Sequence, residues 1–285
     1  LQGRLRRLDR SVREVGAGNL DARAEVKGHD AVGQLASTFN GMTEHIQRLI
    51  ESQREMTRAV SHELRTPVAR IRFGLEMLMD VADPDKRRNK LEELDQDIDQ
   101  LDELIDEILT FARLEEGTPT LEFKPVDMHR LLEQIERELA PISGDIRIAI
   151  DEVEIPPEWR FAEGEERYLH RILQNLVTNA IRHAHGRVVM RYCPEDDQAV
   201  LEVEDDGPGI AEAERERIFK PFARLDQSRH RASGGYGLGL SIVRRVVEWH
   251  GGWVSVDSGA LGGARFRVVW PRRRDAGHVL PGNRL

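Results

Sequence analysis

The chain of 285 residues is long enough for roughly two or three folded modules. Its formal net charge of −9 and its aromatic content of 5% argue against nucleic acid as a partner, since a groove for phosphate backbones needs a basic surface. The single cysteine, Cys193, excludes an internal disulfide and predicts a reducing compartment such as the cytosol.

The first predicted element is a short amphipathic helix, whose apolar residues recur at intervals of three and four: Leu5, Leu8, Val12 and Val15. A non-helical connector is predicted to follow it from Gly16 to Gly33. A second helix then resumes the spacing at Leu35 and continues through His62 to Leu78. Helices of this kind need a partner for their apolar stripes, and a second copy of the chain is the simplest one.

The second helix contains the heptapeptide Ser61-His62-Glu63-Leu64-Arg65-Thr66-Pro67, which groups an imidazole, a carboxylate and a hydroxyl. Residues four apart lie one turn above each other, so we expect Thr66 beside His62 and Glu63 next to the ring. An imidazole of ordinary pKa, about 6.5, is mostly neutral at pH 7 and offers a lone pair to a phosphoryl group. Glu63 can orient the ring and accept its other proton, and Thr66 can align a water molecule for the reverse reaction. The alternative is an ordinary solvated helix surface.

A turn at Ala82-Asp83-Pro84-Asp85 leads to a third helix, which has the most regular apolar stripe of the chain. Its members alternate at intervals of three and four: Leu91, Leu94, Ile98, Leu101, Ile105, Ile108 and Ala112. Such a stripe is more typical of a structural core than of a ligand site. The second and third helices are therefore predicted to form an antiparallel hairpin, and two hairpins a dimeric four-helix bundle with His62 on its exposed face.

Beyond Gly117-Thr118-Pro119 the pattern changes to alternating helices and strands, which indicates an α/β sandwich. Helices are predicted over residues 126–139, 165–182 and 238–250. Strands are predicted over residues 146–150, 188–192, 199–204, 253–257 and 264–270. The end of the chain, residues 274–285, is predicted to be disordered.

The helix predicted over 165–182 carries Asn175 and Asn179 one turn apart, with Arg182 on the next turn. Carboxamide oxygens are hard ligands that suit Mg²⁺. Paired asparagines also occur as surface or capping groups, so the motif alone leaves both interpretations open.

The segment Asp205-Asp206-Gly207-Pro208-Gly209-Ile210 closes a predicted strand. A carboxylate at a strand end can accept the exocyclic amine of adenine, and the glycines let the backbone approach a flat ring without a Cβ in the way. A simple turn between two elements is the competing interpretation.

Two further motifs follow, Phe219-Lys220-Pro221-Phe222-Ala223-Arg224 and the glycine loop of residues 234–240, Gly-Gly-Tyr-Gly-Leu-Gly-Leu. The glycine loop opens a helix, so free N–H groups and the positive end of the helix dipole face an anion. It is neither a dinucleotide fingerprint, because no βαβ unit contains it, nor a Walker loop, because no Gly-Lys-Ser/Thr ends it. The polar stretch between Ile210 and Gly234 is predicted to be a mobile lid over phosphates.

Together, these motifs resemble the five sequence boxes of bacterial two-component sensor histidine kinases, in order and at ordinary spacing. They correspond to an H box around His62, an N box at 175–183, a G1 box at 205–209, an F box at 219–222 and a G2 box at 235–240. The N-terminal part resembles a HAMP signal-relay module. The resemblance therefore covers about residues 1–272 of the chain.

The resemblance implies a multidomain fold, in which an α-helical HAMP module and a helical hairpin precede an α/β sandwich of the Bergerat ATP-binding type. The implied boundaries are 1–50 for the HAMP module, 51–116 for the dimerisation and histidine-phosphotransfer hairpin, 122–273 for the catalytic ATP-binding domain and 274–285 for the disordered tail.

The resemblance also implies roles for individual residues. Asn179 would ligate Mg²⁺ with Asn175 nearby, and Asp205 would bind adenine. Arg182 and Arg224 would meet phosphates, while the backbone of the glycine loop would hold the triphosphate. The implied ATP-binding residues are Asn175, Asn179, Arg182, His183, Asp205, Gly207, Gly209, Phe222, Gly235, Gly237, Leu238, Gly239 and Leu240, and the implied catalytic residues are His62, Glu63, Thr66 and Arg224.

Two positions depart from the family pattern. His183 stands where an aromatic residue often follows the N box, which affects stacking on adenine. Asp30-Ala31 stands where the HAMP module has an acidic pair, which affects its signalling bias.

The implied function is the cytoplasmic part of a sensor kinase that autophosphorylates His62 from Mg-ATP. The phosphoryl group would pass to an aspartate on the receiver domain of a response regulator, with a phosphatase activity toward the same regulator. The expected assembly is a homodimer without nucleic acid. No apolar run approaches the ~20 residues of a spanning helix and no signal-peptide pattern opens the chain, so the chain itself is expected to be soluble. Anchoring in the inner membrane is expected through a segment before residue 1.

Two other classes of protein compete with this interpretation. Anti-sigma serine kinases and ATPases of the gyrase and Hsp90 type share the ATP-binding fold but lack a helical hairpin that bears a histidine. A non-enzymatic scaffold that only senses nucleotide is the second alternative, and the intact Asn179, Asp205 and glycine loop argue against it.

Overall fold

The computed structural model describes residues 2–28, 30–80, 83–115, 121–224 and 235–273. The chain divides into two compact units, Leu1–Thr66 and Pro67–Leu285. The predicted disordered tail, 274–285, lies outside the described residues, as do residues 225–234 of the predicted lid. None of the helices in the described ranges combines the length and the apolar character that a bilayer-spanning helix requires.

The helices and strands follow one another along the chain in a helical part and an α/β part. The helical part comprises α1 (Gln2–Gly16), α2 (Ala31–Asp80) and α3 (Pro84–Glu115). The α/β part comprises β1 (Lys124–Asp127), α4 (Met128–Leu139), β2 (Arg147–Ile150), β3 (Phe161–Gly164), α5 (Glu166–His183), β4 (Arg187–Tyr192), β5 (Gln198–Asp205), α6 (Gly239–Trp249), β6 (Trp253–Ser258) and β7 (Ala264–Pro271). The predicted order of a helical region before an α/β sandwich is confirmed.

The first unit has a small core of its own, formed by apolar residues of α1, the connector and α2. It contains Leu8, Ala24, Ala36 and Phe39, with Val15 packed against it. The connector has no regular secondary structure, so its backbone groups need other hydrogen-bond partners. The Asn40 side chain of α2 supplies two of them: it accepts from the N–H of Ala24 and donates to the Ala24 carbonyl oxygen. These bonds fix the connector alongside α2.

Asp30, half of the unusual Asp30-Ala31 pair, caps the start of α2. Its Oδ1 accepts from the N–H of Gly33 at 3.0 Å, the usual N-cap bond. Its Oδ2 accepts from Nη1 of Arg4 in α1 at 2.7 Å. The Gly33 N–H first and the Arg4 guanidinium second lower the pKa of Asp30. The remaining acidic residue of the HAMP pair thus joins α1 to the beginning of α2.

In the second unit, the end of α2 and α3 form the predicted antiparallel hairpin. Gly74 lies against Leu94, so close that a Cβ on Gly74 would be 2.6 Å from a Leu94 methyl group. One turn farther along, Arg70 pairs with Asp97 at 3.0 Å and donates to the Gln100 side chain. The contacts run in opposite directions along the two helices, as an antiparallel pair requires.

A single hairpin leaves much of the α3 stripe uncovered. Leu94 is buried against α2, whereas Leu91, Ile98 and Ile105 are 53%, 45% and 39% exposed. The hairpin therefore buries only one side of the stripe, and the exposed side can contact a second chain.

The α/β part contains a five-stranded sheet of order β2-β4-β5-β7-β6, in which only β2 and β4 are parallel. The register places Met190, Val203, Phe266 and Val256 in one row on the same face. These residues are buried together with the apolar sides of α4, α5 and α6, which cover that face. The sheet and its helix layer hold β5 and α5 in fixed positions at the candidate site.

The predicted helix start at Val126 is wrong by two residues. Val126 and Asp127 belong to β1, which pairs with β3 in a separate two-stranded sheet that the apolar spacing does not predict. Asp127 has an extended backbone and its side chain accepts from the N–H of Arg130, so it caps α4 and the helix begins at Met128.

Candidate active site

The histidine-bearing segment lies in the middle of α2, which remains helical through Pro67. The His62 side chain is 76% exposed, and its Nδ1 lies 3.4 Å from Oε1 of Glu63. A proton on Nδ1 would point toward this carboxylate and leave the lone pair on Nε2. The hydroxyl of Thr66 lies one turn beyond and donates to the carbonyl oxygen of His62 at 3.5 Å. The predicted grouping of His62, Glu63 and Thr66 is present, with an accessible ring.

In the second unit, α5 carries Asn175, Asn179 and Arg182 along one side, at intervals of four and then three residues. His183 follows Arg182 directly and ends the helix. Asn175 faces the first turn of α6, because its Oδ1 lies 3.2 Å from the place of a Cβ on Gly239. Its Nδ2 is buried and has no hydrogen-bond partner among the described residues. A buried donor of this kind beside a helix start fits an anionic ligand such as a phosphate.

The carboxylate of Asp205 is fixed at the end of β5, where the residue is 2% exposed. Its Oδ1 accepts from the N–H groups of Gly207 at 2.9 Å and of Ala264 at 3.2 Å. Both bonds end on Oδ1, which leaves Oδ2 for a donor on a ligand. Burial raises the pKa of Asp205, although the two N–H donors oppose that shift. The geometry suits recognition of an amine by a positioned carboxyl group.

Glycine is required around this carboxylate because the backbone segments approach closely. A Cβ on Gly207 would lie 2.3 Å from the carbonyl oxygen of His183. A Cβ on Gly263 would lie 2.3 Å from Oδ1 of Asp205, and Gly209 has a φ of +71° beside Gly263.

Desolvation lowers the pKa of His183, while the nearby Asp205 opposes the shift. His183 therefore presents a mainly neutral imidazole beside the carboxyl group.

The described part of the glycine loop, residues 235–240, contacts Arg182 and Phe222 in addition to Asn175. A Cβ on Gly235 would lie 2.5 Å from Nη1 of Arg182, so this arginine reaches the loop. The carbonyl oxygen of Gly237 accepts from the N–H of Phe222 at 2.8 Å. Both bonded residues have positive φ, +76° for Gly237 and +59° for Phe222. The hydrogen bond holds the F box against the loop, and it keeps Phe222 in a backbone conformation that a non-glycine residue rarely adopts.

The loop ends at α6, where Gly239 is the first helical residue. The first N–H groups of a helix have no partner within it, so this end is suited to an anion. Leu238 is fully buried and can offer only its backbone, whereas Leu240 is half-buried. Arg224 lies two residues beyond Phe222, at the end of the described segment 121–224.

Gly263 and Ala264 were missed as site residues. Ala264 donates to Asp205, and Gly263 packs on the same carboxylate. Both lie some 60 positions beyond Asp205 in the sequence, and only the pairing of β5 with β7 brings them together. The Gly262-Gly263 pair before a predicted strand was the available signal.

Models of three protein families match consecutive parts of the chain. A HAMP domain matches residues 1–48 and a His Kinase A (phospho-acceptor) domain matches residues 52–117. A domain described as histidine kinase-, DNA gyrase B-, and HSP90-like ATPase matches residues 164–274. The order of the matches is that of the predicted modules.

Two curated proteins and one solved structure resemble most of the chain. Sensor protein RstB of Escherichia coli K12 is 36% identical over 265 residues, covering 93% of this chain and 59% of RstB. Sensor histidine kinase CpxA of the same strain is 32% identical over 266 residues, covering 93% of this chain and 57% of CpxA. The solved structure of full-length ShkA in complex with AMPPNP is 31% identical, with a TM-score of 0.56, covering 76% of this chain and 45% of ShkA. The chain thus spans less than three-fifths of the curated relatives named here.

Proposed function

Because the chain belongs to the sensor histidine kinase family, we propose that it autophosphorylates His62 from Mg-ATP and passes the phosphoryl group to an aspartate of a response regulator. The observation that carries the proposal is the convergence of Asn175, Arg182 and Phe222 on the glycine loop, in a chain that also exposes His62 beside Glu63. Gyrase and Hsp90 type ATPases share the ATP-binding fold, but the match to a phospho-acceptor domain over 52–117 favours the kinase.

The nucleotide would lie between α5, the end of β5 and the start of α6. Asp205 would accept the exocyclic amine of adenine through Oδ2, and His183 would lie beside the ring. Arg182, the buried Nδ2 of Asn175 and the N–H groups of residues 237–240 would bind phosphates, together with Arg224. The ShkA structure, whose ligand is AMPPNP, supports a nucleotide in this fold.

Asn179 would hold Mg²⁺ through its carboxamide oxygen, with Asn175 one turn away. When bound, Mg²⁺ neutralises charge on phosphate oxygens. The orphaned donor on Asn175 fits a phosphate oxygen at this place, and the Asn179 carboxamide one turn away would offer an oxygen of the kind that Mg²⁺ prefers.

At the phosphoacceptor, Glu63 would hold the Nδ1 proton and so direct the lone pair of Nε2 outward. In the proposed reaction, Nε2 forms a bond to the γ-phosphorus, and the bond from that phosphorus to the bridging oxygen of ADP breaks. Glu63 takes the Nδ1 proton as positive charge develops on the ring. The product is a phosphoramidate, whose phosphoryl group can be passed to a carboxylate of the receiver domain.

Incubation with γ-labelled ATP should therefore give a label that is lost in acid and stable in alkali. A chain that binds ATP but acquires no such label would contradict the proposal.

Phosphatase action toward the phosphorylated regulator is a further part of the proposal, and Thr66 is its candidate residue. Thr66→Ala should keep most autophosphorylation but reduce dephosphorylation of the regulator by about 10²-fold, because a hydroxyl one turn from His62 can align the attacking water. Thr57→Ala is the matched control, since Thr57 makes the same bond to a carbonyl one turn back, that of Gln53. Equal dephosphorylation rates for wild type and Thr66→Ala would refute the role.

The proposed assembly is a homodimer through the hairpin. Ile98 and Ile105 are exposed on the α3 stripe, and burial of each is worth about 1.5–3 kcal/mol, so Ile98→Asp with Ile105→Asp should yield monomers. Asp99→Ala with Asp106→Ala, at neighbouring exposed positions, should remain dimeric. Sedimentation at micromolar concentration measures both, and a monomeric wild type would contradict the bundle.

Anchoring in the inner membrane through a segment before residue 1 completes the proposal. Its support is the family and the greater length of the matched relatives. The chain described here would then be the cytoplasmic portion of the protein.

A further inference from the structure

The turn between β6 and β7, residues 259–263, lies against the end of β5, where Asp205 is placed. Two backbone hydrogen bonds close it: the N–H of Gly259 donates to the carbonyl oxygen of Gly263 at 3.0 Å, and the N–H of Gly262 donates to that of Gly259 at 3.2 Å. Gly262 has a φ of +95°, which a residue with a side chain rarely adopts. These bonds are internal to the turn, so its position against β5 depends on other contacts.

Glu204, the residue before Asp205 in β5, makes one of those contacts. The residue is 3% exposed, and its Oε1 accepts from the N–H of Leu261 in the turn. Gly259 packs on the same carboxylate so closely that a Cβ there would lie 2.5 Å from Oε1 and 2.6 Å from Cγ of Glu204. Arg265 lies opposite Glu204 in the register of β5 with β7, so the buried charge has a cation as its cross-strand neighbour. The turn is thus attached to β5 through a charged acceptor, which makes a stronger hydrogen bond than a neutral one.

The other face of β5 holds the end of the same turn. Neighbouring residues of a strand point to opposite faces, so Asp205 approaches the turn from the side away from Glu204. The N–H of Ala264, three residues beyond Leu261, donates to Oδ1 of Asp205 at 3.2 Å. A Cβ on Gly263 would lie 2.4 Å from the carbonyl oxygen of Asp205, so the turn is in direct contact with the strand. The two carboxylates therefore bind backbone N–H groups of one short segment from its two sides.

We propose that Glu204 is a positioning residue for adenine recognition. By binding the Leu261 N–H it keeps the Ala264 N–H in place for Asp205, and this bond fixes Oδ1 so that Oδ2 stays directed toward the base. The inference rests on the proposed function, in which Asp205 accepts the exocyclic amine of adenine. Without Glu204 the turn loses its attachment on one face, and Asp205 relies on the Gly207 N–H alone to orient its carboxyl group. A carboxylate that rotates binds adenine less well, because binding must then restrict that rotation.

Calorimetry with Mg-AMPPNP, on the 285-residue chain, tests this role. Glu204→Ala should bind about fivefold more weakly than wild type, a smaller loss than that expected for Asp205→Asn, because only one of two donors to the carboxylate is disturbed. Glu204→Gln keeps an oxygen that can accept from Leu261, and it should bind within about twofold of wild type. Glu202→Ala is the matched control and should bind as wild type does. Glu202 lies on the same face of β5 and is 6% exposed, but it pairs with Arg191 at 2.9 Å and not with the turn.

Gly259→Ala reaches the same contact from the turn. It should also weaken binding about fivefold, because its Cβ collides with the Glu204 carboxylate. In a Glu204→Ala background the collision is relieved, so Gly259→Ala should cause no further loss, as expected for two positions that act through one contact. Gly259→Ala also carries the test if Glu204→Ala does not fold. Equal losses for Glu204→Ala and Glu202→Ala, or a Gly259→Ala protein that binds like wild type, would overturn the inference.

Autophosphorylation kinetics separate a positioning role from a general loss of structure. Glu204→Ala should raise the KM for ATP about fivefold and leave kcat at saturating ATP near the wild-type value, because the groups proposed to act on the phosphates and on His62 are unchanged. A fall in kcat with an unchanged KM would contradict the role. If the wild type does not bind Mg-AMPPNP at all, the proposed function fails and the inference with it. If the wild type binds and Glu204→Ala binds equally well, only the inference fails.

Discussion

His62→Ala is expected to lose all acid-labile labelling from γ-labelled ATP while it binds nucleotide as tightly as the wild type. The variant removes the nucleophile, and no neighbouring side chain of the segment offers a nitrogen lone pair at neutral pH. Nucleotide binding should persist because the proposed ATP site is built from residues 175–240 of the α/β part. Filter-bound label and calorimetric affinity for Mg-AMPPNP measure the two properties separately.

His45→Ala is the matched control, since His45 is an exposed histidine on the same helix. It should label like the wild type. Label that survives in His62→Ala would place the phosphoacceptor elsewhere in the chain.

Asn179→Ala is expected to reduce autophosphorylation by about 10²–10³-fold, the usual loss when one electrostatic contribution to a transition state is removed. The proposed carboxamide ligand of Mg²⁺ is then missing, so the defect should be largest at limiting Mg²⁺. Gln174→Ala changes a carboxamide at a neighbouring position of α5 that points to a different side, and it should be nearly neutral. A normal rate for Asn179→Ala at limiting Mg²⁺ would show that other groups hold the cation.

Asp205→Asn should separate base recognition from this metal effect. The carboxylate contributes a charged hydrogen-bond acceptor worth about 1.5–3 kcal/mol, so affinity for ATP should fall about 10- to 100-fold. The loss should be much smaller for GTP, which lacks the exocyclic amine at that position of the base. Equal losses for the two nucleotides would contradict the adenine contact.

The helical part of the fold was predictable because a helix depends on residues that lie three and four positions apart in the sequence. Apolar spacing predicted α2 and α3, and the Asp83-Pro84 turn predicted their antiparallel arrangement. The two short strands β1 and β3 were missed, since four residues carry little periodicity and their pairing joins positions far apart in the sequence. The start of α4 was misplaced because Asp127 was not recognised as a cap.

The candidate site divides in the same way. Asn175, Arg182 and the glycine loop were visible as motifs, and the structure brings them together. Gly263 and Ala264 carry no such signal, because only strand pairing places them near Asp205. The sequence could predict one apolar stripe on α3, whereas the burial of Leu104, Phe111 and Leu114 on another face of that helix needed a partner that only the fold supplies.

The position of the transferred phosphoryl group tests the proposed kinase reaction most directly. The wild-type chain can be labelled with γ-labelled ATP and Mg²⁺, digested under alkaline conditions and mapped by mass spectrometry with ³¹P NMR of the intact product. We expect a single phosphoramidate, confined to the peptide that contains His62 and dependent on Mg²⁺. A phosphoester on a serine or threonine, or a phosphoramidate on any other histidine, would contradict it.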